Sequence, residues 1–210
     1  MIKLESDKIL TKEGISMKTD IYKFTADSFE IGKVMGSAAK AASYNDLTSK
    51  QELRLTLLAE ELAEMIPKLL EYGDGEFFIE NKGADYEIHI KVHASELLNF
   101  DKRDKLLSVS KSGKNAAATG IMNKIIIVAE SLISGYNDAP VGINEYSNNF
   151  VTLGMDMDPY YWSLKKYRSG SVENTEAWDE LEKSIIANLS DDVTVGFIKG
   201  TAEIIVKKSF

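Results

Sequence analysis

The stretch SKQELRLTLLAEELAEMIPKLL, residues 49–70, carries the clearest structural signal in this chain. Ser49 and Glu52 have the spacing of a capping box, in which a hydroxyl and a carboxylate satisfy backbone N–H groups at a helix start. Behind them an apolar stripe recurs at helical spacing, formed by Leu55, Leu58, Leu62, Met65, Ile66 and Leu69. The pattern predicts an amphipathic helix that begins near Ser49 and that Pro67 kinks or ends near Ile66.

Upstream of this helix the sequence predicts a short strand and another helix. Residues 21–24, IYKF, are typical of a strand, and Asp27 or Ser28 is expected to cap the helix that follows. Its apolar residues recur at helical spacing: Ile31, Val34, Met35, Ala38 and Ala42. The polar residues 44–46 then separate the two helices.

Downstream, Gly73-Asp74-Gly75 is expected to stop the long helix, and two strands follow at residues 76–80 and 86–92, joined by a turn at 81–85. The second strand alternates cleanly, because successive side chains of a strand point to opposite faces. One face would carry Ile88, Ile90, Val92 and Ala94. The other would carry Glu87, His89, Lys91 and His93.

The rest of the chain predicts further helices and a terminal hairpin. A short polar helix is expected at 101–109 and a loop at 110–115, before a strongly apolar helix bearing Ala117, Ile121, Ile125, Ala129 and Leu132. Residues 135–150 have the composition of a connecting segment, and 150–153 are strand-like. A short aromatic helix should open at Asp158-Pro159 and run through Tyr161, Leu164 and Tyr167.

The C-terminal residues predict a last helix over 175–189 with one apolar stripe, formed by Trp178, Leu181, Ile185 and Leu189. A hairpin over 193–197 and 202–206 would end the chain. The element order predicts an α/β fold, a sandwich in which helices cover one face of a mixed, mostly antiparallel sheet. We expect one domain over residues 1–135 and a C-terminal helix-plus-hairpin extension over 136–210, packed on the first.

Composition narrows the classes of function. The 210 residues include 25 Lys and Arg against 33 Asp and Glu, a formal charge of −8, which argues against nucleic acid as a partner. There is no cysteine, which excludes disulfides, thiolate metal sites and a cysteine nucleophile. No apolar run approaches the length of a membrane span, and the charged residues 1–8 do not form a signal peptide. We therefore expect a cytoplasmic protein with no membrane partner.

The element order and the residues LRLTLLAEELAEMI, 53–66, resemble the GHKL (Bergerat-fold) ATPase superfamily over about residues 21–133. The nearest branch is that of the bacterial anti-sigma-factor serine kinases. The resemblance implies that Glu60 corresponds to the family's catalytic glutamate. It also implies that Glu64 corresponds to an asparagine that holds Mg²⁺, and Glu64 could contact the nucleotide and the metal through oxygen.

Two further family motifs are altered. The resemblance puts Ala94, followed by Ser95-Glu96, where the family has an aspartate that accepts a hydrogen bond from the adenine amino group. If the alignment is shifted by one residue, His93 takes the position of that aspartate, but His93 is expected on the opposite face of the strand. The glycine-rich turn that meets the phosphates would correspond to Gly113, Thr119 and Gly120, with helix-start N–H groups available for an anion.

The resemblance therefore implies a regulatory module that binds another protein, a regulator or a sigma-factor-like partner, with little or no ATP turnover. A homodimer is compatible with it. The alternative is an active Mg-ATP-dependent ATPase or serine/threonine kinase with altered motifs, and ATP and Mg are the only cofactors implied. A third possibility is a similarity of architecture alone. Glu60, Glu61 and Glu64 can also be read simply as a solvated helix face.

Other candidate sites are weaker. Residues 112–115, SGKN, contain Gly-Lys, but the full P-loop spacing is absent. His89 and His93 lie four apart on a strand, about 13 Å at a rise of about 3.3 Å per residue, which is too far to share one metal ion.

Overall fold

The structure is a computed structural model that describes residues 16–70, 73–94, 120–136, 161–170, 181–198 and 201–210. In chain order its helices and strands are β1 (Ser16–Lys18), β2 (Tyr22–Phe24), α1 (Ile31–Tyr44), α2 (Ser49–Leu69), β3 (Gly73–Lys82), β4 (Asp85–Ala94), α3 (Ile121–Tyr136), β5 (Tyr161–Ser163), α4 (Leu164–Gly170), α5 (Ile185–Leu189), β6 (Asp192–Ile198) and β7 (Thr201–Ser209). The predictions for residues 101–109, 110–115 and 150–153 lie outside the described residues.

The strands form one seven-stranded sheet with the order β1-β3-β4-β7-β6-β5, and β2 also pairs with β3. All of the described pairings are antiparallel. The last strand, β7, lies in the middle, since it pairs with β4 on one side and with β6 on the other. The sheet therefore crosses the boundary predicted between residues 135 and 136.

Helices cover one face of this sheet, as the sequence predicts. The strands turn apolar side chains towards that face: Phe77, Ile79, Ile88, Ile90, Val92, Val193, Val195, Phe197, Ala202, Ile204 and Val206. Against them α2 buries the whole predicted stripe together with Ala59 and Ala63. Four of the five apolar positions predicted for the helix around α3 are buried as well, namely Ile121, Ile125, Ala129 and Leu132. Ala117, the fifth, lies outside the described residues. The predicted fold class is confirmed.

The start and end of α2 differ from the prediction. The cap is Thr48 rather than Ser49, and the side-chain carbonyl of Gln51 accepts hydrogen bonds from the Thr48 N–H at 2.9 Å and hydroxyl at 2.6 Å. The helix also continues past Ile66 to Leu69, with Pro67 in its last turn. Proline has no N–H to donate, so α2 has one helical hydrogen bond fewer at Pro67. Leu69, which lies beyond it, is fully buried.

The start of α1 was also predicted too early, because Ser28 belongs to a turn. The Ser28 hydroxyl accepts a hydrogen bond from the Thr25 N–H at 2.8 Å, and its carbonyl accepts one from the Tyr22 hydroxyl at 2.9 Å. That same Tyr22 oxygen accepts from the N–H of Glu30, the residue before the helix, at 2.8 Å. Ile31 is the first residue of α1, and its side chain is exposed. The other residues of the predicted stripe are buried or partly buried.

The β3–β4 hairpin is longer than the sequence indicated. Gly73-Asp74-Gly75 forms the first part of β3 instead of a helix stop, and β3 pairs with β4 from Gly73↔Ala94 to Lys82↔Asp85. The turn consists of two residues only, and Gly83 adopts a φ of 61°, a conformation that glycine takes at little cost.

Two predictions in the C-terminal part were wrong. Tyr161 lies in a strand, β5, that pairs with β6, and a helix begins only at Leu164. The helix predicted over 175–189 does not run through Ser184, whose hydroxyl accepts a hydrogen bond from the Ala187 N–H at 3.2 Å and caps α5. This new start changes the buried face, so that Ile186 is buried while Ile185 is exposed.

Two glycines should respond oppositely to alanine. Gly36, inside α1, has open space where a Cβ would lie, so Gly36→Ala should raise the free energy of unfolding by about 0.5–1 kcal/mol. At Gly75 in β3 a Cβ would overlap the ring of buried Phe24, so Gly75→Ala should lower it by about 1–3 kcal/mol. Urea titrations measure both variants. Equal changes in the free energy of unfolding of the two variants would contradict the close packing of Phe24 in β2 on Gly75 in β3.

Candidate functional site

Glu60 and Glu64 lie on the solvent side of α2, opposite its buried stripe, as their spacing predicts. Both side chains are exposed, whereas Glu61 between them is half-buried. Burial raises the pKa of the Glu61 carboxyl, and the nearby Glu64 and Glu60 carboxylates raise it further. Among the described residues, none forms an ion pair with these three glutamates. In the part of the chain that the structure describes, this side of α2 therefore carries three carboxylates without an ion-pair partner.

The end of α2 meets the start of α3. The Lys68 ammonium donates a hydrogen bond to the side-chain oxygen of Asn123 at 3.2 Å, and Lys68 lies one helical turn after Glu64. Gly120, directly before α3, has a φ of 101°. The structure thus brings the Glu64 end of α2 and Gly120 to the same junction. Sequence reasoning missed Lys68 and Asn123, although the four-residue spacing from Glu64 was a usable signal for Lys68.

The described part of the chain contains no cluster of three or more His, Asp or Glu side chains arranged to hold a metal ion. Glu64 could supply one carboxylate oxygen to Mg²⁺, which usually keeps several waters and relies on substrate phosphates for the rest. Gly113 and Thr119, the other residues predicted to contact a nucleotide, lie outside the described residues.

β4, whose end the resemblance assigns to adenine binding, keeps the predicted alternation. Ile90 and Val92 are buried on the face under the helices, and Ala94 continues the ladder opposite Gly73. His93 lies on the other face, where its Nδ1 is 3.1 Å from the Thr201 hydroxyl. An alanine has no side-chain acceptor for an adenine amino group. The missing acceptor and the negative charges of the α2 glutamates mean that these residues do not fit the adenine and the triphosphate of ATP well.

The outward face of the sheet carries a layer of charged residues around one aromatic pair. The Phe78 and His89 rings stack with centroids 4.5 Å apart, and the Lys18 ammonium lies 3.7 Å from the Phe78 ring centroid. His89 Nδ1 lies 2.9 Å from Glu203, and this hydrogen bond, followed by the Lys91 charge, lowers the pKa of the Glu203 carboxyl. The side chains of this layer therefore contact one another on the sheet face opposite the described helices.

Two observations concern other possible sites. A cavity near α4 and α5 is lined by Arg168, Leu181, Glu182, Ala187, Asn188 and Ser190, none of which belongs to the predicted site. None of the helices, as far as the structure describes them, combines the length and apolarity needed to span a bilayer.

The sequence was compared with models of protein families and with curated proteins. None of the family models matches the chain, and none of the curated proteins does either. The resemblance to GHKL ATPases therefore stays a prediction from the residues of α2 and β4.

Proposed function

We propose that this chain is a regulatory protein-binding module on a GHKL-like scaffold that turns over little or no ATP. Its partner would be another protein, a regulator or a sigma-factor-like protein, bound in the cytoplasm. The module would act by contact, with the sheet and core as a rigid support and the solvent side of the helices as the surface available to partners.

One observation carries the proposal. At the end of β4, where the resemblance implies an adenine-binding aspartate, the strand ladder continues through Ala94, which has no hydrogen-bonding side chain. A polar group of the nucleotide buried there without a partner would cost about 1–3 kcal/mol. The acidic surface of Glu60, Glu61 and Glu64 adds repulsion, because a triphosphate is itself an anion.

A specific observation favours the alternative, an active ATPase or serine/threonine kinase. Glu60 and Glu64 share one exposed line of α2, and Gly120 opens α3 beside the end of that helix. A glutamate at the position of Glu60 could act as a general base, and helix-start N–H groups could receive phosphate.

The two functions are separated by a phosphate-release assay with Mg-ATP on the wild-type chain and on Glu60→Gln. We expect both proteins to show the same background rate, since no step depends on Glu60. A positioned general base contributes about 10²–10⁴-fold to a rate. A wild-type rate that drops on that scale in Glu60→Gln would contradict the proposal and establish the enzyme.

A further inference from the structure

The solvent side of α2 carries a second ordered pattern besides its buried stripe. Its members recur three or four residues apart along the helix and are exposed or half-exposed. This outer stripe consists of Lys50, Leu53, Arg54, Leu57, Glu60, Glu61 and Glu64. Such spacing places side chains along one line of a helix, in the manner of the contact positions of paired helices.

The centre of the outer stripe is apolar. Leu53 is 58% exposed, and Leu57 follows four residues later with its side chain partly exposed. Single exposed leucines are common on protein surfaces. Two at this spacing form a continuous apolar strip on the helix surface.

The charges of the outer stripe are divided by sign along the helix. Lys50 and Arg54 lie on the N-terminal side of Leu57, whereas Glu60, Glu61 and Glu64 lie on its C-terminal side. Lys50 with Arg54, and Glu60 with Glu64, have the i,i+4 spacing at which like charges destabilise a helix. Among the described residues, none pairs with these four side chains in an ion pair. The pattern thus costs the isolated helix stability, and within the described ranges these four charges have no ion-pair partner.

We propose that the partner on the outer stripe is a second copy of this chain, with its α2 running antiparallel. If Leu57 of each copy lies at the two-fold axis, Lys50 and Glu64 are seven residues away on opposite sides, on the order of 10 Å at about 1.5 Å per residue. Lys50 of one copy therefore faces Glu64 of the other.

The same two-fold axis aligns the inner charges. Arg54 and Glu60 each lie three residues from Leu57, so Arg54 of one copy faces Glu60 of the other. Symmetry repeats both contacts, so Lys50, Arg54, Glu60 and Glu64 of each copy gain an opposite charge on either side of the Leu57 pair. Glu61, the fifth charge of the outer stripe, faces Leu53. A parallel arrangement would place Lys50 on Lys50 and Glu64 on Glu64, which is repulsive. The charge order selects the antiparallel pair.

This dimer goes beyond the proposed function and does not depend on it. A contact between single helices lies below the roughly 1,200 Å² of a standard interface, so we expect dissociation constants of about micromolar or weaker. The contact would cover Glu60 and Glu64, and it would dissociate more readily as salt screens its ion pairs.

Sedimentation velocity over a concentration series, combined with two charge variants, tests the dimer. Lys50→Glu with Arg54→Glu gives an outer stripe whose charges are all acidic, and Glu60→Lys with Glu64→Lys gives one that is basic at every charged position except Glu61. Each variant alone should dissociate at least about tenfold more readily than the wild-type chain. An equimolar mixture should form a heterodimer, because acidic and basic stripes are complementary. Glu52→Lys, an exposed charge reversal on α2 outside the outer stripe, should dimerise like the wild type.

Three results would overturn the proposal. A wild-type chain that stays monomeric up to about millimolar concentration would leave the outer stripe to a different partner or to solvent. A dimer that both variants retain would lie on another surface. Variants that fail to associate in the mixture would show that α2 charges do not meet across the interface. None of these results bears on ATP turnover, which the Glu60→Gln assay tests separately.

Discussion

Deletion of residues 201–210 is expected to abolish cooperative folding of the whole chain. These residues contain β7, which pairs with β4 along Asp85↔Ser209 to His93↔Thr201 and with β6 on its other side. Its removal would expose two strand edges in the middle of the sheet and would take Ile204 and Val206 out of the core. Scanning calorimetry of the truncated chain should show no unfolding transition.

The sequence alone predicted a C-terminal extension packed on an N-terminal domain, whereas the structure has one sheet with β7 in its middle. The deletion distinguishes these two arrangements. If residues 201–210 belonged to a separate extension, the truncated chain would keep a cooperative transition near the wild-type temperature. Such a transition would contradict the central place of β7. Replacing Lys207 with alanine is the matched control, since this side chain lies outside the core and its loss should leave the transition nearly unchanged.

Leu62→Ala is expected to lower the free energy of unfolding by about 2–5 kcal/mol, the usual cost of truncating a fully packed leucine. Leu62 is 0% exposed in the middle of α2, where the helix packs on the sheet and on its neighbouring helices. The cost combines lost burial with the cavity left behind. Denaturant titration at dilute protein measures it.

Leu53→Ala is the matched control for that experiment. It removes the same atoms from the same helix, but Leu53 is 58% exposed, so we expect a change within about 0.5 kcal/mol. Similar losses in the two variants would mean that the buried and solvent faces of α2 are wrongly assigned.

The predictions were correct for long helices and strands whose apolar residues repeat at one regular spacing. The stripe of α2 and the alternation of Ile88, Ile90 and Val92 on β4 were both predicted, because each pattern repeats often enough to determine which side is buried. Helix starts were harder to predict. The first turn of α1 is fixed by the Tyr22 hydroxyl, whose contact with Glu30 depends on a neighbouring strand rather than on a local signal.

The predictions for short elements were wrong for a related reason, since few residues are available to show a pattern. Tyr161 was predicted in a helix because Asp158-Pro159 is typical of a helix start, but its pairing with Gly196 on β6 makes this segment a strand. For the site, helical spacing was enough to place Glu60 and Glu64 on one line. The contact of Lys68 with Asn123 joins residues far apart in sequence, and local periodicity contains no information about it.

Calorimetric titration of the chain with Mg-ATP tests the central claim, a GHKL-like scaffold that does not hold nucleotide effectively, most directly. A missing adenine acceptor at Ala94 should weaken affinity by roughly ten- to a hundredfold, and the charge of Glu64 should weaken it further. We therefore predict no saturable binding at micromolar ATP. Micromolar binding that disappears in the Glu60→Gln, Glu64→Gln double variant would contradict the account and establish α2 as part of a working nucleotide site.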